Sequence, residues 1–157
     1  MENDVEIRIV AAQPADANDL IALLNKLETE SDFFELNVDL HKIDAEELQQ
    51  QIYQIQVSGS NLILLAVAGE KLIGITTVTE VKPGVGELGI AVLADYQRMG
   101  LGTLLLDSII EWQQQDSKLD NLLLEVLTAN KPAQKLYEKM GFKTISETKN
   151  SIKMSLN

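Results

Sequence analysis

Hydrophobic side chains recur at every second residue near the start of the chain. Val5, Ile7 and Ile9 alternate with Glu6 and Arg8 over residues 5–11, which predicts a strand with one buried face. The period then lengthens. Pro14 and Asp16 open a helix whose buried stripe is Leu20, Leu24 and Leu27. Residues 31–42 hold no clean period and read as a loop. Asp44, followed three residues later by Glu47, has the pattern of a capping box at the start of a second helix. Leu48, Ile52 and Ile55 form the apolar stripe of that helix, and Ser58, Gly59 and Ser60 end it.

The middle of the chain reads as strands. Residues 62–68 are a short apolar run bounded by Gly69, and Gly69 and Glu70 make a tight turn into residues 71–81, rich in Ile, Thr and Val. Pro83, Gly84 and Gly86 predict another turn, into a strand over residues 87–93. Residues 100–115 are helical, with Leu101, Leu105, Ile109 and Trp112 on one face. A strand follows over residues 121–127. Asn130 then caps a helix to Met140 that turns Ala133, Leu136, Tyr137 and Met140 inward, and Gly141 stops it. Two strands, 142–147 and 152–156, close the chain. The predicted order β-α-α-β-β-β-α-β-α-β-β makes one α+β domain over residues 1–157, a mixed α/β sandwich on a mixed sheet.

Composition narrows the chemistry. The chain has 157 residues, 45% hydrophobic and 24% charged, as in an ordinary soluble domain. No apolar run approaches the roughly 18 residues of a membrane span, and the acidic residues 1–6 read as carrying no secretory signal. Cysteine is absent, which excludes disulfides, thiol nucleophiles and Cys-based zinc sites. The single histidine, His41, argues against a His-rich metal site and against a Ser-His-Asp triad, so no metal is expected. A cytoplasmic setting is the expectation. The net charge of −11 disfavours nucleic acid and anionic membranes as partners. That charge is uneven: eight acids lie between Glu28 and Glu47 (Glu28, Glu30, Asp32, Glu35, Asp39, Asp44, Glu46, Glu47) against Lys42 alone. This stretch is either a solvated surface or a field that attracts a cationic acceptor.

The segment Gln97-Arg98-Met99-Gly100-Leu101-Gly102-Thr103 follows a strand and opens a helix. Its glycines permit close approach of a ligand to the backbone, and the N–H groups of a helix's first turn suit an anion such as pyrophosphate. The same pattern also serves tight packing. It is neither a Walker phosphate loop, since no Gly-Lys-Ser/Thr follows, nor the dinucleotide fingerprint, since Leu105 stands where the third glycine belongs. About 30 residues on, Asn130, Ala133 and Tyr137 share a helix face.

With these two motifs the chain resembles the GCN5-related N-acetyltransferases, the GNAT superfamily. Gln97, Gly100 and Gly102 meet the family's Gln/Arg-x-x-Gly-x-Gly/Ala, and Asn130, Ala133, Tyr137, Gly141 and Phe142 meet its Asn-x-x-Ala-x-x-x-Tyr-x-x-x-Gly-Phe. The resemblance implies a splayed central sheet that holds acetyl-CoA in a gap between the fourth and fifth strands. Backbone amides near Ala91, Val92 and Leu93 would then bond the pantetheine arm and polarise the thioester. Those from Arg98 to Thr103, including Met99 and Leu101, would hold the pyrophosphate. Asn130 would bond the cofactor arm, Ala133 would pack on it, and Tyr137 would stand near the sulfur as general acid, unless it is only a core tyrosine.

The activity implied is direct transfer of acetyl from acetyl-CoA to a primary amine of a small molecule, peptide or protein. The alternative is a non-catalytic acyl-CoA-binding module. Glu87, at the start of the cofactor strand, is one candidate base; Glu125, inside an apolar run where a carboxylate is expensive unless paired or at the splayed mouth of the sheet, is another. Either could instead bind a cationic substrate or be an ordinary strand glutamate paired with a neighbouring Lys. Lys131, Lys135 and Lys139 form a basic stripe that suits either solvent or the 3′-phosphate of CoA. His41, Phe33, Phe34 and Leu36 lie in the loop that borders the acceptor site in this family. The two C-terminal strands are candidates for a homodimer contact.

Overall fold

The computed structural model describes residues 6–30, 43–97 and 99–157. The strands are β1 (Ile7–Ala11), β2 (Leu62–Ala68), β3 (Lys71–Lys82), β4 (Val85–Val92), β5 (Asn121–Leu127), β6 (Lys143–Glu147) and β7 (Ser151–Ser155). The helices are α1 (Ala17–Glu30), α2 (Ala45–Ser58), α3 (Leu101–Gln115) and α4 (Lys131–Lys139). The expected order is met. The strands form one seven-stranded sheet in the order β1-β2-β3-β4-β5-β7-β6. Every pairing is antiparallel except β4 with β5.

Helices cover the sheet on both sides. Leu20, Leu24 and Leu27 of α1 and Leu48 and Ile52 of α2 cluster with Ile63, Leu65, Ile73 and Ile75. Leu106 and Ile109 of α3 and Tyr137 of α4 cluster with Val78, Leu88, Leu122, Leu124 and Val126. Ile73 and Ile75 lie on the opposite side of β3 from Val78, because alternate residues of a strand point to opposite faces. The buried Thr76 hydroxyl donates to the Gly89 carbonyl (2.8 Å), tying β3 to β4.

Local signals were met with three differences. Asp44 caps α2 by accepting the Glu47 N–H (2.8 Å), but it is Gln13 and Asp16 that form a full capping box, around the 3-10 turn Pro14–Asp16. That turn precedes α1, which starts at Ala17, because the proline opens a tighter single turn first. Gly86 belongs to β4 and not to the turn. A Cβ there would lie 2.6 Å from both Leu119 Cδ1 and Val78 Cγ1, so this glycine is demanded by packing.

The feature that positions the site is the short contact between β4 and β5. They pair in register only at Val85↔Asn121, Gly86↔Leu122 and Glu87↔Leu123. Beyond these, β4 continues along β3 to Val92, and β5 continues along β7 to Leu127. The parallel pair therefore opens into a V.

Candidate active site

Hydrogen-bond alternation identifies the backbone groups that line the V. The Leu93 N–H donates to the Ile73 carbonyl (2.8 Å). In an antiparallel ladder, residue pairs that exchange hydrogen bonds alternate with pairs that do not. The register Gly74↔Val92, Ile75↔Ala91, Thr76↔Ile90 therefore turns the N–H groups of Ala91 and Leu93 toward β3. Those of Ile90 and Val92 point the other way, into the gap. On β5, the Thr128 N–H donates to Asn150 O (2.8 Å). The same alternation directs Leu124 and Val126 toward β7 and leaves Glu125 and Leu127 facing the gap. Of the three expected donors, only Val92 presents its N–H to the gap; Ala91 and Leu93 are corrected by the ladder, and Ile90 joins Val92.

The candidate anion site at the start of α3 divides its two glycines between two roles. Gly100 caps the helix in the left-handed region, with φ +77°. A Cβ placed on it would meet no described atom within 4 Å, so the space before it is open. The first-turn N–H groups of Leu101, Gly102 and Thr103 precede the first helical bond, Leu104 N–H to Gly100 O (3.1 Å). Gly102 instead answers to packing: its Cβ would come 2.8 Å from Leu136 Cδ2 of α4. Leu101 is itself core, while Met99 is 56% exposed beside the cap. Arg98 lies outside the described residues. Gly100→Ala forces a side chain into the left-handed region, at about 1–2 kcal/mol. It also fills the open side, so acetyl-CoA affinity is expected to fall about tenfold, roughly 1.4 kcal/mol, by calorimetry.

The Gln97 side chain turns away from the start of α3. Its Nε2 donates to the Val92 carbonyl (3.0 Å), back toward the end of β4. Asn130 caps α4: its Oδ1 accepts the Ala133 N–H (3.3 Å). Gln134 Nε2 donates to the carbonyls of Leu127 (3.0 Å) and Thr128 (2.8 Å), fixing the turn between β5 and α4. In this turn the Thr128 hydroxyl is buried with no hydrogen-bond partner among the described residues. Buried polar groups are nearly always satisfied, so an orphan hydroxyl at the end of the V fits a bound polar group such as an amide of the pantetheine arm.

Tyr137 is buried at 7% exposure, its ring edge-on to Phe142 (centroids 6.1 Å apart, 67°). Glu87 is half-buried at the last paired position of β4. Glu125 lies two residues beyond Leu123, the partner of Glu87, and so on the same face of the sheet. Within the apolar run, strand alternation exposes Glu125. Its carboxylate accepts from Ser151 Oγ (2.6 Å) and stands opposite Lys153 in register. Lys131, Lys135 and Lys139 are exposed along α4. His41, Phe33, Phe34 and Leu36 lie outside the described residues. Among the described residues, no three His, Cys, Asp or Glu side chains group as a metal site, and no helix is long and apolar enough to cross a membrane.

Residues 24–142 match the sequence model of the family described as Acetyltransferase (GNAT) family. The chain belongs to this family. An acetyltransferase of the GNAT family from Streptococcus pneumoniae is 31% identical, with a TM-score of 0.86 over 96% of this chain and 98% of that one. The N-acetyltransferase PseH from Campylobacter jejuni, in complex with acetyl coenzyme A, shares the fold: TM-score 0.68, 22% identity, 96% and 99% of the two chains. In sequence, an N-alpha-acetyltransferase from Sulfurisphaera tokodaii is 40% identical over 58 residues, 37% of this chain and 35% of that protein. The match thus spans about a third of the length of the curated relatives.

Ile90 and Thr128, which the structure adds as candidates, were not among the residues expected from the sequence. The only sequence signal for Thr128 is a hydroxyl between an apolar strand and the Asn130 cap.

Proposed function

We propose that this GNAT chain is an acetyl-CoA-dependent N-acetyltransferase, one domain over residues 1–157, whose acceptor is the α-amino group of a polypeptide. The observation that carries the reading is the open V between β4 and β5, with the N–H groups of Ile90 and Val92 directed into it. The acceptor class is supported by the N-alpha-acetyltransferases among its relatives.

Each residue has a role that its position supports. The first-turn N–H groups of α3 hold the pyrophosphate, and Thr128 and Asn130 bond the pantetheine arm. Acetyl-CoA supplies an activated thioester. The N–H groups of Val92 and Ile90 donate to its carbonyl oxygen as negative charge develops there. Glu87 takes the amine proton through water. Tyr137 donates toward the sulfur. An α-amino group has a pKa of about 7.7–8.0 against about 10.4 for an alkylamine. Deprotonating it near neutral pH asks about 3 kcal/mol less of the base.

The acidic stretch favours a peptide with basic residues after its first. Part of that stretch is already engaged, since Asp44 caps α2 and Glu30 accepts from Ala94. A homodimer contact through the C-terminal strands would use β6, the exposed edge strand.

The test is release of CoA thiol at pH about 8 with peptides bearing a free α-amine, the same peptides α-blocked with a free lysine, polyamines, amino acids, amino sugars and a no-amine blank. Release with free α-amines, at least tenfold above the α-blocked set, is the expected result (about 1.4 kcal/mol of discrimination). Release with polyamines alone would overturn the acceptor class. Acetyl-CoA binding without transfer to any amine would favour the non-catalytic module.

A further inference from the structure

Three successive residues at the exit of β4 are held from three directions. The Val92 carbonyl accepts from Gln97 Nε2 (3.0 Å). The Leu93 N–H donates to Ile73 O (2.8 Å). The Ala94 N–H donates to Glu30 Oε1 (2.8 Å). The last bond crosses 64 residues of sequence and joins the end of α1 to the first residue of the 3-10 turn Ala94–Tyr96, which follows the strand that lines the gap.

Glu30 is the final residue of α1. A carboxylate is unfavourable there for the helix alone, because it faces the negative end of the helix dipole. A carboxylate accepting a backbone N–H, in contrast, makes a short, charge-assisted bond. The position therefore serves β4 at the expense of α1. Gln97 is the other half. The C=O and N–H of Val92 point the same way, so the bond from Nε2 to the carbonyl sets the direction of the N–H beside it.

We propose that Glu30 and Gln97 are positioning residues for the acyl donor, bracing the exit of β4 so that the Val92 N–H is held at a fixed angle to the gap. The activity readout rests on the acetyltransferase reading above; amide exchange and acetyl-CoA binding do not.

The experiment compares Glu30→Ala, Glu30→Gln and Gln97→Ala with the parent chain by NMR amide exchange, acetyl-CoA calorimetry and steady-state kinetics. In Glu30→Ala, Ala94 exchange is expected to accelerate at least about tenfold as its acceptor is lost. In Glu30→Gln, whose side-chain oxygen still accepts, it stays near the parent rate. Misplacement of a donor lowers kcat by about ten- to a hundredfold in both alanine variants. The acetyl-CoA dissociation constant rises only about two- to fivefold, because the pyrophosphate contacts at α3 remain. Glu30→Gln restores most of kcat.

Unchanged Ala94 exchange in Glu30→Ala would overturn the brace, and so would faster exchange with kcat intact. A parent chain that binds acetyl-CoA but acetylates no amine would overturn the proposed function instead. The brace would then stand on faster exchange with the expected rise in dissociation constant, and fall if that constant were unchanged.

Discussion

Tyr137→Phe is expected to lower kcat for acetyl transfer by about ten- to a thousandfold, up to roughly 4 kcal/mol of barrier, with acetyl-CoA affinity nearly unchanged. The substitution removes one oxygen. The ring keeps its place in the core and its edge-on contact with Phe142. The leaving thiolate has a pKa of about 8.5 and a tyrosine hydroxyl about 10, so complete proton transfer would run uphill by about 2 kcal/mol. In the proposed role the hydroxyl acts by donating a hydrogen bond to sulfur as charge develops, within the range of general-acid effects. A loss confined to the transition state appears in kcat and leaves ground-state binding alone. Thiol-release kinetics and calorimetry on the same variant separate the two. A phenylalanine variant at full rate would assign Tyr137 to packing only.

Phe142→Ala carries the largest expected effect on stability. Phe142 is 2% exposed in the cluster formed by α3, α4 and β5. Its N–H donates to the Tyr137 carbonyl (3.0 Å), so it also anchors the chain where α4 ends. Truncation of a buried phenylalanine leaves a cavity and costs about 3–5 kcal/mol. For a chain of this size each kcal/mol shifts Tm by roughly 2–4 °C, so Tm should fall by about 6–20 °C. Activity at low temperature should fall as well, because Tyr137 loses its aromatic neighbour. Phe142→Leu, closer in volume, should cost about half as much. A Tm within about 2 °C of the parent in Phe142→Ala would show that the cluster closes over the gap it leaves.

The element order was legible because it is written in local patterns: alternation in the strands, the Leu20, Leu24 and Leu27 stripe in α1, and side-chain caps at Asp44 and Asn130. The glycine-bearing start of α3 and the capped α4 were legible as local structure for the same reason. Errors fell where a local signal has two physical causes. Gly86 carries the turn signal of any glycine beside Pro83 and Gly84, yet long-range contacts with Leu119 and Val78 require it inside a strand. For Glu125 the sequence left pairing open, and its neighbours Ser151 and Lys153 come from β7, which no pattern within β5 encodes. The choice of Ile90 and Val92 over Ala91 and Leu93 depends on register between strands. No single segment encodes that, because it is settled by which carbonyl of β3 the Leu93 N–H meets. Glu30 was counted only within the acidic stretch, since its partner lies 64 residues away.

The V between β4 and β5 is a seam in the sheet where hydrogen bonding stops short. Extending the pairing past Glu87 and Leu123 would add ladder bonds and close the room that a ligand needs. Under the proposed function, heat resistance and turnover therefore pull in opposite directions along residues 88–92 and 124–127. Engineering for thermostability has a safer field in β1, β2 and the α1–α2 face, where added packing leaves the seam untouched. In this segment, a substitution that raises Tm is the one whose catalytic cost should be measured before it is kept.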